Sequence, residues 1–261
     1  QAVQKNRLIV LSDIEVEVDD TESFVRLVLY SNEIDIQGMI ATTSVWKKTS
    51  VAPEAIRKVI NAYAKVRPNL LKHDTRFPEA EKLMALVKQG IRQYGMLGVG
   101  DGKDSEGSDW IIEVLEENDE RPLWVSVWGG VNTLAQALYK LEKTKPKAEL
   151  QRLISKLRVY TISDQDDSGI WIRKNFPELF YIVTPGDNYG SAIWSAINTF
   201  VIGISNEKIS NSWIAENIQQ EHGPLGVEYP DVAWGMEGDT HSFLSHIPNG
   251  LNNPEQPEWD G

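Results

Sequence analysis

The chain has 261 residues, 41% of them hydrophobic, enough to build one sizeable core. Its 38 Asp and Glu outnumber its 26 Lys and Arg, giving a net charge of -12, and this argues against nucleic acid as a partner because phosphate backbones are held by basic patches. No apolar stretch approaches the roughly 20 residues needed to cross a bilayer, so no membrane partner is expected, and the absence of cysteine excludes disulfides, thiolate metal ligands and a cysteine nucleophile.

The first element in the chain is the apolar run Arg7 to Ser12, a buried strand. Five carboxylates follow within eight residues, Asp13, Glu15, Glu17, Asp19 and Asp20, with no Lys or Arg among them. A helix is expected from about Asp20 to Tyr30, with Phe24, Leu27 and Val28 on one stripe, and then a strand from Ile34 to Thr42. Strand, helix and strand in quick succession form a βαβ unit, which implies a parallel sheet with right-handed crossovers. Helices are expected over Pro53 to Val66 and Pro78 to Gln89, and a mobile glycine-rich loop over Gly95 to Gly107. Next come a helix from Ser108 to Glu117, a strand from Leu123 to Val127, the turn Trp128-Gly129-Gly130 and a helix from Asn132 to Leu141. Leu157 to Ile162 and Phe180 to Val183 are strands, and Ser191 to Phe200 is helical. Residues 1 to 247 therefore read as one α/β domain, a mostly parallel central sheet flanked by helices, while Pro248 to Gly261 reads as a tail or linker leading to a further domain.

In open sheets of this kind ligands gather beyond the carboxyl ends of the strands. Four polar clusters fall there, 13 to 20, 42 to 46, 128 to 132 and 163 to 167, and one crevice can collect them. Crowded carboxylates repel one another, and a hard divalent cation with oxygen ligands relieves that repulsion. The competing explanation is a solvated acidic loop that leads into the first turn of a helix, where acidic residues are favoured. On an extended segment Asp13 and Glu15 point to the same side, with Asp19 and Asp20 at the mouth of the next helix, an arrangement that can wrap an ion.

The spacing D-x-E-x-x-x-D-D from Asp13 to Asp20 resembles the first motif of the inosine-uridine nucleoside hydrolases, D-x-D-x-x-x-D-D. Val127 to Ala135 is similar to their second motif, and Glu237-Gly238-Asp239-Thr240 stands where the family carries a late aspartate. From residue 7 to about 247 the chain looks most like the nucleoside hydrolase-like domain of bacterial cellulose-binding proteins. The resemblance implies a nucleoside hydrolase-like open sheet and a calcium ion held by Asp13, Glu15, Asp20, Asp239 and the Asn132 backbone carbonyl. It further implies Asp19 on the sugar hydroxyls, Glu15 as general base for a metal-activated water, and attack on an anomeric carbon.

Two departures bear on the substrate. Glu15 is one methylene longer than the family's aspartate, and Gly238 stands where the family carries its leaving-group histidine, which leaves His241 as the candidate proton donor. Trp46 and Trp128, both just after strands, are either apolar walls for a saccharide or core residues. Asp164, Asp166 and Asp167 either bind sugar hydroxyls or cap a helix beginning near Gly169.

The expected ligand is a small nucleoside or saccharide, self-association into a homo-oligomer is left open, and the family likeness together with the Gln1 start points to export. The competing functions are a noncatalytic saccharide-binding module on the same scaffold and a magnesium-dependent haloacid dehalogenase-like phosphatase. The phosphatase is disfavoured by Glu15-Val16, which stands where that class has a second aspartate and a small polar step.

Overall fold

The computed structural model describes residues 4–184, 202–203, 205–233 and 236–247. The helix expected over 191–200 and the tail over 248–261 lie outside the described residues. Six parallel strands form one sheet: β1 (Arg7–Ser12), β2 (Asp35–Ala41), β3 (Val87–Gln89), β4 (Leu123–Val127), β5 (Leu157–Thr161) and β6 (Phe180–Val183). Their order across the sheet is β3-β2-β1-β4-β5-β6. The chain thus winds outward from β1 in one direction, returns to β1's other flank at β4, and winds outward again.

Side chains alternate along β1, and each face of the sheet receives its own helices. Leu8 and Val10 join a core with α1 (Asp19–Leu29), α2 (Pro53–Leu70) and α3 (Ala80–Ala85). Ile9 and Leu11 join the opposite core with α4 (Glu106–Glu116), α5 (Asn132–Thr144), α6 (Lys147–Lys156) and α7 (Ser168–Asn175). Right-handed crossovers that wind in opposite directions from β1 must place their helices on opposite faces, which accounts for this division.

Three sequence expectations are corrected. The helix expected to run to Gln89 stops at Ala85, and the chain continues as the short edge strand β3. The Gly95 to Gly107 segment is tied down: Met96 N donates to Asp167, Gln136 bonds both the amide and the carbonyl of Gly100, and Lys140 and Lys143 pair with Asp104 and Asp101. The segment from Asp13 to Glu15, expected to be extended, enters a turn instead, and Val16 N donates to Asp13 O at 3.2 Å.

Candidate metal centre

The gap between β1 and β4 is where the strand order reverses, and the loops leaving the two strands part there and leave room for a ligand. The four polar clusters converge on this end of the sheet. Trp128 N donates to Leu11 O, Gly130 N to Thr43 O, Val45 N to Gln165 O, and the Gln165 side chain to Trp128 O. The Trp-Gly-Gly turn owes its glycines to this crowding. A Cβ on Gly129 would sit 2.7 Å from Asp13, and one on Gly130 would sit 2.5 Å from Asp166 Oδ2 and 2.6 Å from Thr43 O.

Asp13, the first residue after β1, is buried beside this turn and bonded to the Ser44 side chain. Asp19 and Asp20 open α1, whose amino-terminal dipole favours negative charge. Ser12 Oγ, which accepts Ile14 N, donates to Asp20 Oδ1. Asp239 arrives from the other end of the chain. One carboxylate oxygen each from Asp19, Asp20 and Asp239 lies within 4.8 Å of the others, and all three residues are buried. Two oxygens on opposite sides of a calcium ion stand about 5 Å apart, so the triad fits a single cation.

The electrostatics point the same way. Burial comes first and neighbouring carboxylates second in raising Asp19 to about 7 and in raising Asp20 and Asp239 well above the usual carboxylate range. Burial also raises Asp13 to about 6, opposed by its Ser44 bond. Asp239 Oδ2 is buried with no hydrogen-bond partner. A buried carboxylate oxygen without a partner, facing two like charges, is costly unless a cation meets it. The donor set is all oxygen, which suits a hard divalent ion.

Not every residue singled out in the sequence joins the triad. The turn carries Glu15 outward at φ 76°, with its side chain 58% exposed and 3.5 Å from Lys47. Glu17, to which the sequence assigned no role, instead lies in the field of Asp13, Asp19, Asp20 and Asp239. Asn132 opens α5, and its side-chain Nδ2 donates to Gln93 O and Gly95 O while its Oδ1 is buried without a hydrogen-bond partner; neither contact involves the backbone carbonyl that the resemblance assigned to the ion. Trp128 is not a wall for a ligand. It is 1% exposed, packed at tilted angles between Phe24 and Phe243, and its Nε1 donates to Ser126 Oγ and Ser242 Oγ. Trp46, by contrast, stands 73% exposed on the turn after β2.

Asp164 forms a two-pronged pair with Arg173, at 2.9 and 2.7 Å. Asp166 is buried and accepts from Ser168 N, Ser168 Oγ and Asn132 N, so it fastens the start of α7 to that of α5. His241 is half-buried, bonded to the Gly238 backbone and packed edge-on against Tyr160, and burial lowers its pKa. A separate hollow of about 440 Å³ borders β3, lined by Gln89–Gln93 and Gly102–Glu106, and none of the triad reaches it.

The family model described as "Cellulose-binding Sde182, nucleoside hydrolase-like domain" matches residues 7–261. A solved nucleoside hydrolase-related protein from Saccharophagus degradans, described as associated with carbohydrate metabolism, is 39% identical with a TM-score of 0.83, over 96% of this chain and 57% of that one. The chain therefore spans little more than half of that relative's length. An inosine-uridine preferring nucleoside hydrolase from Bacillus anthracis is 14% identical with a TM-score of 0.49, over 92% of this chain and 81% of that one. The effector protein XOO4466 is 10% identical with a TM-score of 0.52, over 95% and 82%, a likeness of fold. No curated protein matches the chain.

Proposed function

The chain belongs to the nucleoside hydrolase-like domain family of cellulose-binding Sde182 proteins, and from that premise we propose that its crevice binds a small sugar-containing ligand, nucleoside or saccharide, beside a calcium ion and hydrolyses its glycosyl bond. The observation that carries this reading is the buried Asp19–Asp20–Asp239 triad with its partnerless Asp239 Oδ2. Calcium bound there would neutralise the crowded carboxylates, lower the pKa of a coordinated water and present sugar hydroxyls to the site.

The remaining roles fall to residues of the chain. Asp13, buried at the strand switch and held by Ser44, is the proton acceptor in this reading, because it is the buried carboxylate outside the triad that adjoins it. It takes the role that the family resemblance implies for Glu15. The anionic surroundings of Asp13, Glu17 and Asp19 would stabilise positive charge building on the anomeric carbon as the leaving group departs. Trp46, exposed at the rim, offers a flat apolar face to a sugar ring. Burial lowers the pKa of His241 and so disfavours the imidazolium that a proton donor to the leaving group must be, which weighs against His241 in that role. The family description and the carbohydrate link of the Saccharophagus relative support a saccharide, and with it an exported location, over a free nucleoside.

A noncatalytic binding module is the second reading, favoured by the outward turn of Glu15 and by Gly238 in place of the family's leaving-group histidine. A panel of nucleosides, aryl glycosides and oligosaccharides, each tested with calcium and with chelator, separates the two. The hydrolase reading expects calcium-dependent cleavage of at least one member, with Asp13→Asn lowering kcat by about 100-fold while ligand affinity stays within a few-fold. A panel that binds oligosaccharides but cleaves nothing overturns the hydrolase reading and selects the module.

A further inference from the structure

Asp239 has to remain beside two like-charged carboxylates, and the means of holding it there lies outside the triad. Asp19, Glu22, Ser23 and Arg26 recur at intervals of three and four, so they share one face of α1. Arg26 grips Glu237 with both arms, Nε 2.6 Å from Oε1 and Nη2 2.8 Å from Oε2. Glu237 N donates to Glu22 Oε1 at 2.9 Å, and Thr240 Oγ1 to Ser23 Oγ at 3.0 Å. Asp239 is thus bracketed: the residue after it and the residue two before it are both fastened to the helix that carries Asp19 and Asp20.

The backbone bears the mark of this fastening. Glu237 has φ 52°, in the left-handed region that a residue with a Cβ rarely enters and keeps only where its surroundings impose it. The Arg26 side chain is 39% exposed and that of Glu237 only 11%, so the pair lies at the edge of the interior. Its two-armed geometry fixes direction, which a single ammonium cannot do.

We propose that Arg26 and Glu237 form a positioning clamp that aims Asp239 at the cation and so sets cation affinity without touching the ion. The inference rests on the metal reading given above. Outer partners that orient a ligand are worth roughly 10- to 100-fold in metal affinity.

The test is calorimetric calcium titration of the whole chain as wild type, Arg26→Met, Arg26→Lys and the exchanged pair Arg26→Glu with Glu237→Arg, alongside metal-free thermal melting. The expected result is a loss of affinity of about 10-fold or more for Arg26→Met, with the metal-free chain still melting cooperatively above the titration temperature, and partial recovery in the exchanged pair. A calcium affinity for Arg26→Met within about twofold of wild type overturns the clamp, as does an exchanged pair no better than Arg26→Met. Should Arg26→Met fail to fold, Arg26→Lys decides, since it keeps the charge and loses the fork: binding at least about threefold weaker supports the clamp, and wild-type affinity overturns it. A wild type that binds no calcium overturns the metal reading and the clamp together, whereas wild-type binding with indifferent variants overturns the clamp alone.

Discussion

The loop after β1 and the loop after β5 leave the same end of one sheet, and each carries at least three carboxylates, yet they treat charge in opposite ways. After β5 every acid is answered: Asp164 by Arg173, Asp166 by Ser168 and the Asn132 amide, Asp167 by the Met96 amide. After β1, Asp19 and Asp20 meet Asp239 rather than a basic side chain, and an oxygen of Asp239 is buried without a partner. A count of acidic residues cannot separate a structural loop from a metal centre. What separates them is whether hydrogen-bond donors and cationic side chains of the protein itself already satisfy the oxygens.

The sharpest contrast should come from deleting one acid from each loop. Asp166→Ala strands the Ser168 and Asn132 amides in the interior, and urea unfolding should show a loss of about 3 kcal/mol with calcium affinity unchanged. Asp239→Asn should act with the opposite sign. It removes a carboxyl that burial and like charges disfavour, so the metal-free chain should melt above wild type while calcium binding is lost. If both substitutions destabilise the metal-free chain equally, the distinction between the loops fails.

A smaller effect lies in the pH dependence of metal-free stability. Asp19 is raised from 3.8 to about 7, so its contribution is fully present below 3.8 and is lost as pH rises through 7; Asp20 and Asp239 are raised in the same direction. His246, buried against Trp124, is depressed from 6.5 to about 4, so its contribution is present above 6.5 and is lost as pH falls toward 4. The two trends oppose each other below 6.5, and only the carboxylates act above it. Glu22, raised to about 9 by burial, adds to the carboxylate trend. Melting of the metal-free chain should therefore drop by several degrees between pH 6.5 and 8, and saturating calcium should reduce that slope to the part owed to Glu22, which lies outside the triad. A metal-free chain that gains stability over this interval would count against the buried, crowded triad.

Much of the fold was legible because its signals are local. Leu123–Val127 and Phe180–Val183 are strands with the expected limits, and the opening βαβ unit set the parallel sheet. The strand Val87–Gln89 was hidden because three residues are too short to establish a period and follow a helix without a break. At the site, the carboxylates of the first loop were visible as a group but their directions were not. The reading of Glu15 assumed an extended backbone, and the turn closed by Val16 N on Asp13 O sends it to solvent. Asp239 came from family likeness, since nothing in local spacing ties it to Asp20. The Arg26–Glu237 pair is not legible in the sequence although Asp19, Glu22, Ser23 and Arg26 do form a helical stripe, because Glu237 lies at the far end of the chain.

The most direct measurement is anomalous diffraction from crystals of the chain grown with calcium. The account predicts one cation among Asp19, Asp20 and Asp239, with their oxygens at about 2.3 to 2.6 Å. Calcium seated instead on the loop after β5, or Asp239 turned away from an empty site beside Asp20, would contradict it.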